Sequence, residues 1–171
     1  HGKPYLEDRQ GIYVNWSHSG DYVICAVADR EVGIDLQYAG KEPKESMVRK
    51  LLQPDELHFY ENVPELERQR LFYEYWAVKE SFLKALGTGF ATPLDRFYVK
   101  FRKGSDVSDA VKKNAMKVPY IIQNINHKQY LCRLLPVKDE GYTAALCIES
   151  LDKSLQEGEL ISTLEVEEIE E

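Results

Sequence analysis

Apolar and polar residues alternate along three stretches near the front of the chain. GIYVNWSH (11–18) and DYVICAVA (21–28) read as two strands parted at Ser19-Gly20, and REVGIDLQY (30–38) reads as a third. The spacing then turns helical. MVRKLL (47–52) predicts a short helix, and Pro54-Asp55-Glu56 opens another, because proline is tolerated in a first turn and acids there suit the helix dipole. Pro64-Glu65 begins a long helix, ELERQRLFYEYWAVKESFLKALG (65–87), stopped by Gly87 and Gly89. Alternation returns after Pro93 in DRFYVKF (95–101), VPYIIQNI (118–125), KQYLCRLL (128–135) and YTAALCIE (142–149), with Asn126-His127 parting the middle pair and a polar loop expected over 101–117. Strands, then helices, then strands predict an α+β fold rather than a doubly wound parallel sheet.

A chain of 171 residues can bury one core, or two small lobes sharing one. No run approaches the roughly 20 apolar residues that span a bilayer, and the expectation is a cytoplasmic protein without a leader or membrane partners. The net charge is −7, concentrated at the end: residues 149–171 carry nine acids and one lysine, leaving the rest nearly neutral. An acidic total argues against nonspecific nucleic-acid binding but leaves room for a local basic pocket. Cys25, Cys132 and Cys147 lie far apart in apolar runs without zinc-ligand spacing, and are expected to be reduced and packed.

In the third strand, Val32, Ile34 and Leu36 share one face, while Gly33, Asp35 and Gln37 share the other. Two oxygen-bearing side chains beside a glycine suit a hard cation; an aspartate satisfied by backbone amides near a strand end explains the same residues equally well. On the long helix Trp76, Lys79, Glu80, Leu83 and Lys84 fall at i, i+3, i+4, i+7 and i+8. Taken alone, KExxxK reads as a surface salt-bridge ladder. Trp76 on the same face favours a half-buried wall suited to a phosphate-bearing ligand. Ser17 and His18 are strand neighbours and face opposite ways, so they make a poor nucleophile–base pair. His18 is either structural or a donor to phosphate.

GKPY (2–5), NWSHSGDYVICAV (15–27), GIDLQ (33–37) and FYEYWAVKESFLKALGTGFATPLDRFYV (72–99) together resemble the surfactin-type 4'-phosphopantetheinyl transferases. The likeness runs in order to about residue 101 and more loosely beyond. It implies two α+β lobes related by pseudo-twofold symmetry, with the active site between them. It also implies transfer of the phosphopantetheine arm of coenzyme A, with Mg2+, to a serine of an apo acyl or peptidyl carrier protein, serving fatty-acid, polyketide or nonribosomal peptide synthesis. By that resemblance Asp35 and Glu80 bind the metal, Glu80 is the candidate general base, and Lys84 and His18 contact coenzyme A phosphates. Lys3 and Ser17 match positions near its 3'-phosphate, and Lys79 matches a lysine assigned here to the cofactor.

Two features depart from the family pattern. Gln37 stands where many bacterial members carry glutamate; a neutral amide is a weaker ligand, so weaker magnesium binding is expected. Family members also carry a further front segment before the GKP element. Residues 1–30 are therefore expected to be the remainder of an N-terminal lobe, 31–150 the C-terminal lobe with the metal site, and 151–171 an acidic tail. On this reading the chain alone binds coenzyme A poorly. KEPKESMVRKLL (41–52) offers Lys41, Lys44, Arg49 and Lys50 for charge, and Met47, Val48, Leu51 and Leu52 for apolar contact with a carrier, or is an ordinary amphipathic surface helix. Two rival functions use the same residues: a metal-dependent phosphoesterase, and a non-catalytic fragment that binds carriers.

Overall fold

The computed structural model describes residues 3–7, 10–94, 97–102, 118–123 and 128–150. The front of the chain forms a hairpin in which β1 (Tyr13–Ser19) runs antiparallel to β2 (Tyr22–Ala28). Gly20 turns it with a φ of 55°, a left-handed conformation that glycine adopts without a Cβ penalty. Then follow β3 (Val32–Tyr38), α1 (Glu45–Leu51), α2 (Pro54–Glu61) and the 22-residue α3 (Glu65–Leu86). A 3-10 turn (Gly89–Ala91) leads to β4 (Phe97–Arg102), β5 (Val118–Gln123), β6 (Gln129–Leu135) and β7 (Tyr142–Ser150). Every described strand pair is antiparallel, and the class is α+β, as the order of elements predicts. Of the loop expected over 101–117, Phe101 and Arg102 instead extend β4; 103–117, the expected turn at Asn126-His127 and the acidic end, 151–171, lie outside the described residues.

β3, β7 and β6 form one sheet in the order β3-β7-β6, which leaves one edge of β3 without a ladder partner among the described residues. Side chains of β1 take that role. Asn15, Ser17 and Ser19 alternate onto one face of β1; Ile34 N donates to Asn15 Oδ1 (2.9 Å), Tyr38 N donates to Ser19 Oγ (2.9 Å), and Ser17 Oγ donates to Asp35 Oδ1 (2.9 Å). Asn15 and Ser19 thus supply two hydrogen bonds that a neighbouring strand would otherwise give to β3 amides, while Ser17 reaches the Asp35 carboxylate.

The sheet divides two apolar clusters. On one side Phe72, Tyr75, Val78 and Phe82 of α3 pack with Val48, Leu51 and Leu52, and with Tyr130, Cys132, Ala145 and Cys147 of the sheet. On the other, Val32, Ile34 and Leu146 meet Tyr13, Ile24 and Ala26 of the hairpin. Cys132 and Cys147 are buried free thiols facing each other across β6 and β7, Sγ to Sγ 3.2 Å. Cys25 departs from the expected packing: it is exposed, on the outer face of β2 between Val23 and Val27. No helix among the described residues is long and apolar enough to cross a membrane.

α3 meets β3 backbone to backbone at Gly33. A Cβ there would sit 2.0 Å from Ser81 O and 2.3 Å from Ala85 N. Neither atom belongs to a side chain that can swing aside, so the helix itself would have to move. Gly33→Ala is expected to destabilise the fold by at least about 1–3 kcal/mol, the usual cost of overpacking. A urea unfolding midpoint equal to that of the unsubstituted chain would show that the contact is looser than its geometry.

Candidate functional site

Between β1, β3 and α3 lies a cleft of about 340 Å³. β1 contributes Trp16, Ser17 and His18; β3 contributes Asp35 and Gln37; α3 contributes Trp76, Glu80 and Lys84. Trp76 is half-buried and edge-on to Phe72, with ring centroids 5.5 Å apart, and forms an apolar wall. Ser17 is buried against Asp35, while His18 is exposed at the mouth.

Asp35 anchors the hydrogen-bond network of the cleft. It is 2% exposed. Its Oδ1 accepts from Ser17 Oγ at 2.9 Å and from Lys84 Nζ at 2.6 Å, and its Oδ2 accepts from Gln37 Nε2 at 2.7 Å. Lys84 completes its own three donor positions with Ser17 Oγ (2.9 Å) and Ile34 O (3.1 Å). Glu80 lies beside this network with no described hydrogen-bond partner. Burial, and next the charge of Asp35, push its carboxyl up to about 7, while Lys84 opposes the shift. A carboxyl that gives up its proton near neutrality is suited to accept one from a substrate.

The donor set fits a hard cation. Asp35 and Glu80 are oxygen ligands on two elements facing one cleft, and the mutual charge that raises Glu80 is the charge such an ion would relieve. Gln37 is close enough to Asp35 to add an amide oxygen if its side-chain amide turns over. Among the described residues no group of three or more His, Cys, Asp or Glu converges. Two carboxylates suit magnesium, which takes one or two from the protein and completes its shell with water and substrate phosphates.

The remaining residues singled out from the sequence lie elsewhere. Lys3 pairs with Glu31 and donates to Ala85 O (2.8 Å), tying the front of the chain to the end of α3 rather than lining the cleft. Lys79 is fully buried on the core side of the helix: Nζ donates to Glu56 Oε2 (2.7 Å) and Leu51 O (2.8 Å), and lies 5.4 Å from the centre of the Phe97 ring. Consecutive helical positions are about 100° apart, so residue 79 enters the core while residue 80 enters the cleft. The apolar side of 47–52 likewise turns inward, with Val48, Leu51 and Leu52 buried, and Arg49 bonds Glu45. α1 and its approach expose Lys41, Lys44, Arg49 and Lys50, interspersed with Glu42 and Glu45.

Three residues escaped the sequence reading. Trp16 borders the cleft yet is 53% exposed, and nothing in the strand pattern marks it. Asn15 belongs to the same alternating polar row as Ser17 and Ser19. Glu56 forms the capping box of α2, accepting from Gln53 N at 2.6 Å, and its Oε1 accepts from Val99 N at 2.6 Å. The Gln53–Glu56 spacing is visible in the sequence as a helix start; the buried lysine it receives is not.

Lys79→Met leaves Glu56 as a buried charge without its cation, and is expected to cost roughly 3–5 kcal/mol. Coenzyme A affinity, read by calorimetry on the folded fraction, should stay unchanged; a selective loss of that affinity would return Lys79 to the ligand. Glu80 titrates at about 7 in the folded chain against an ordinary value of 4.5. The folded state therefore binds more protons between those values, and the contribution to stability is full below pH 4.5, falls through the window and is lost above about 7. With a chelator present, the urea midpoint should fall over that window relative to Glu80→Gln. Parallel pH curves for the two proteins would contradict the raised value.

Known proteins resemble the chain over the segment that holds the cleft. The family model described as the 4'-phosphopantetheinyl transferase superfamily matches residues 31–147, a span holding Asp35, Gln37, Glu80 and Lys84. The chain is 39% identical over 95 residues to the 4'-phosphopantetheinyl transferase HetI of Nostoc sp., covering 53% of this chain and 40% of that protein. It is 33% identical over 108 residues to the 4'-phosphopantetheinyl transferase Sfp of Bacillus subtilis, covering 63% and 48%. The holo-[acyl-carrier-protein] synthase of Helicobacter pylori, solved in complex with coenzyme A, aligns with 70% of this chain and 99% of its own at 18% identity and a TM-score of 0.49. The chain spans about half the length of the curated relatives it matches. With more than half of its residues inside the family match, the chain belongs to the 4'-phosphopantetheinyl transferase superfamily.

Proposed function

We propose that the chain transfers the 4'-phosphopantetheine group of coenzyme A to a serine of an apo acyl or peptidyl carrier protein, releasing 3',5'-ADP, with magnesium. One observation carries the reading: Asp35 from the sheet and Glu80 from the long helix line a single cleft together with Lys84. The names of HetI and Sfp support the reaction class.

Asp35 and Glu80 would hold the magnesium, with the Gln37 amide oxygen as a neutral third donor. Once bound there, the ion supplies Lewis-acid stabilisation of the pyrophosphate. Glu80 takes the proton of the carrier serine, directly or through a metal-bound water. Lys84 and His18 donate to phosphate oxygens, and the Lys84 charge counts most where water is scarce. Ser17 orients Lys84 by accepting one of its hydrogen bonds. No covalent enzyme intermediate is required, because holding the serine and the phosphate in register supplies much of the rate. Lys41, Lys44 and Lys50 offer a basic approach to an acidic carrier.

The test is incubation with coenzyme A, magnesium and several apo carriers, with and without a front segment taken from a relative. Mass spectrometry should show each accepted carrier gaining one phosphopantetheine group. Cleavage of coenzyme A with unmodified carriers would indicate a phosphoesterase instead, and carrier binding with neither product a non-catalytic module. Glu80→Gln should lower turnover by about 10²–10⁴, the usual contribution of a general base. An undiminished rate would remove Glu80 from that role.

A further inference from the structure

Lys84 forms a closed triangle with two neighbours in the cleft. Its ammonium lies 2.6 Å from Asp35 Oδ1 and 2.9 Å from Ser17 Oγ, while Ser17 Oγ itself donates to the same Oδ1. The third ammonium proton goes to Ile34 O. With Gln37 Nε2 on Oδ2, the buried carboxylate of Asp35 already has three donors and one full positive charge in contact. An oxygen so supplied has little to offer a second cation until a donor leaves. Gln37 can withdraw by turning its amide; Lys84 can withdraw only if another anion accepts it. Of the three residues that hold Asp35, Lys84 alone carries charge.

From this geometry we infer that Lys84 is an internal cation that competes with the divalent metal for Asp35, and that a phosphate-bearing ligand relieves the competition by drawing Lys84 away. The inference rests on the proposed transferase reading for the identity of the metal and the phosphate, but the competition itself is a property of this chain. With Lys84 on Asp35, the cleft holds two carboxylates and one ammonium. A divalent ion entering that cleft meets a like charge in direct contact with its first ligand. Coupling of this kind is reciprocal: whatever Lys84 costs the metal, the metal also costs the Lys84–Asp35 pair. It also orders the chemistry, since metal and phosphate groups fill the site together more readily than either alone.

The experiment is a calorimetric titration of the full chain with Mn2+ at constant ionic strength, near pH 8, without coenzyme A. The proteins are the unsubstituted chain, Lys84→Met, Lys84→Gln and the Lys84→Met/Asp35→Asn double variant, each checked for folding by circular dichroism. Removing a contacting positive charge is expected to tighten Mn2+ binding by at least about tenfold in Lys84→Met, with the same direction in Lys84→Gln. The double variant should lose the gain, which locates it at Asp35. Lys84→Gln retains a hydrogen bond to Asp35 without the charge, so it carries the test if the methionine variant does not fold. Equal or weaker Mn2+ binding in the folded lysine variants overturns the inference. The transferase reading fails on different evidence, the absence of carrier modification.

Discussion

The contact between the backbone of β3 at Gly33 and the backbone of α3 at Ser81 and Ala85 fixes the rest of the site. Residues 81 and 85 form one row on the helix; residues 80 and 84 form the next row, about 100° around. Two places along the strand from Gly33, on the same face, stands Asp35. Once the glycine admits the helix, Lys84 reaches Asp35 and Glu80 enters the same cleft without any loop having to carry them. Regular elements hold the acids and the lysine, and such elements position side chains more closely than loops do.

The same helix separates two lysines with different physical roles. Lys84 keeps about a quarter of its side chain exposed and sits among acceptors that a ligand can replace. Lys79 is enclosed with Glu56, which also caps α2 and receives an amide of β4. Burial lowers the pKa of Lys79 and Glu56 opposes the change. The Lys79 pair therefore locks four elements together, α1, α2, α3 and β4, whereas the Lys84 pair is placed to exchange partners. A single charged motif, KExxxK, thus contributes one residue to the core and two to the cleft.

Much of the fold was legible because its signals are local. Alternation marked the strands, Pro54 and Pro64 marked helix starts, and Gly87 marked a helix end with φ of 72° at the left-handed cap. The candidate site was legible chiefly through the family resemblance: the aspartate in GIDL and the glutamate in KExxxK each left a structural reading open, and only Trp76 on the same helix face favoured a ligand. The destination of Lys79 was not legible, because a helical wheel groups residues within about 100° and cannot say which side of that arc meets solvent. Nor was the burial of Val48, Leu51 and Leu52, since an amphipathic helix shows which face is apolar but not what covers it.

The amino-acid sequence by itself determined the element order, the α+β class and the presence of two acids and a lysine at strand and helix positions. Those properties follow from period, turn chemistry and residue type, each set within a few neighbours along the chain. Only the tertiary structure decided that Ser17 and Lys84, 67 positions apart, would share Asp35, and that Glu80 would be buried, and close to Asp35, so that its proton affinity rises. Such outcomes depend on distance through space, burial and the charge of neighbours brought by packing, none of which is encoded in any single segment.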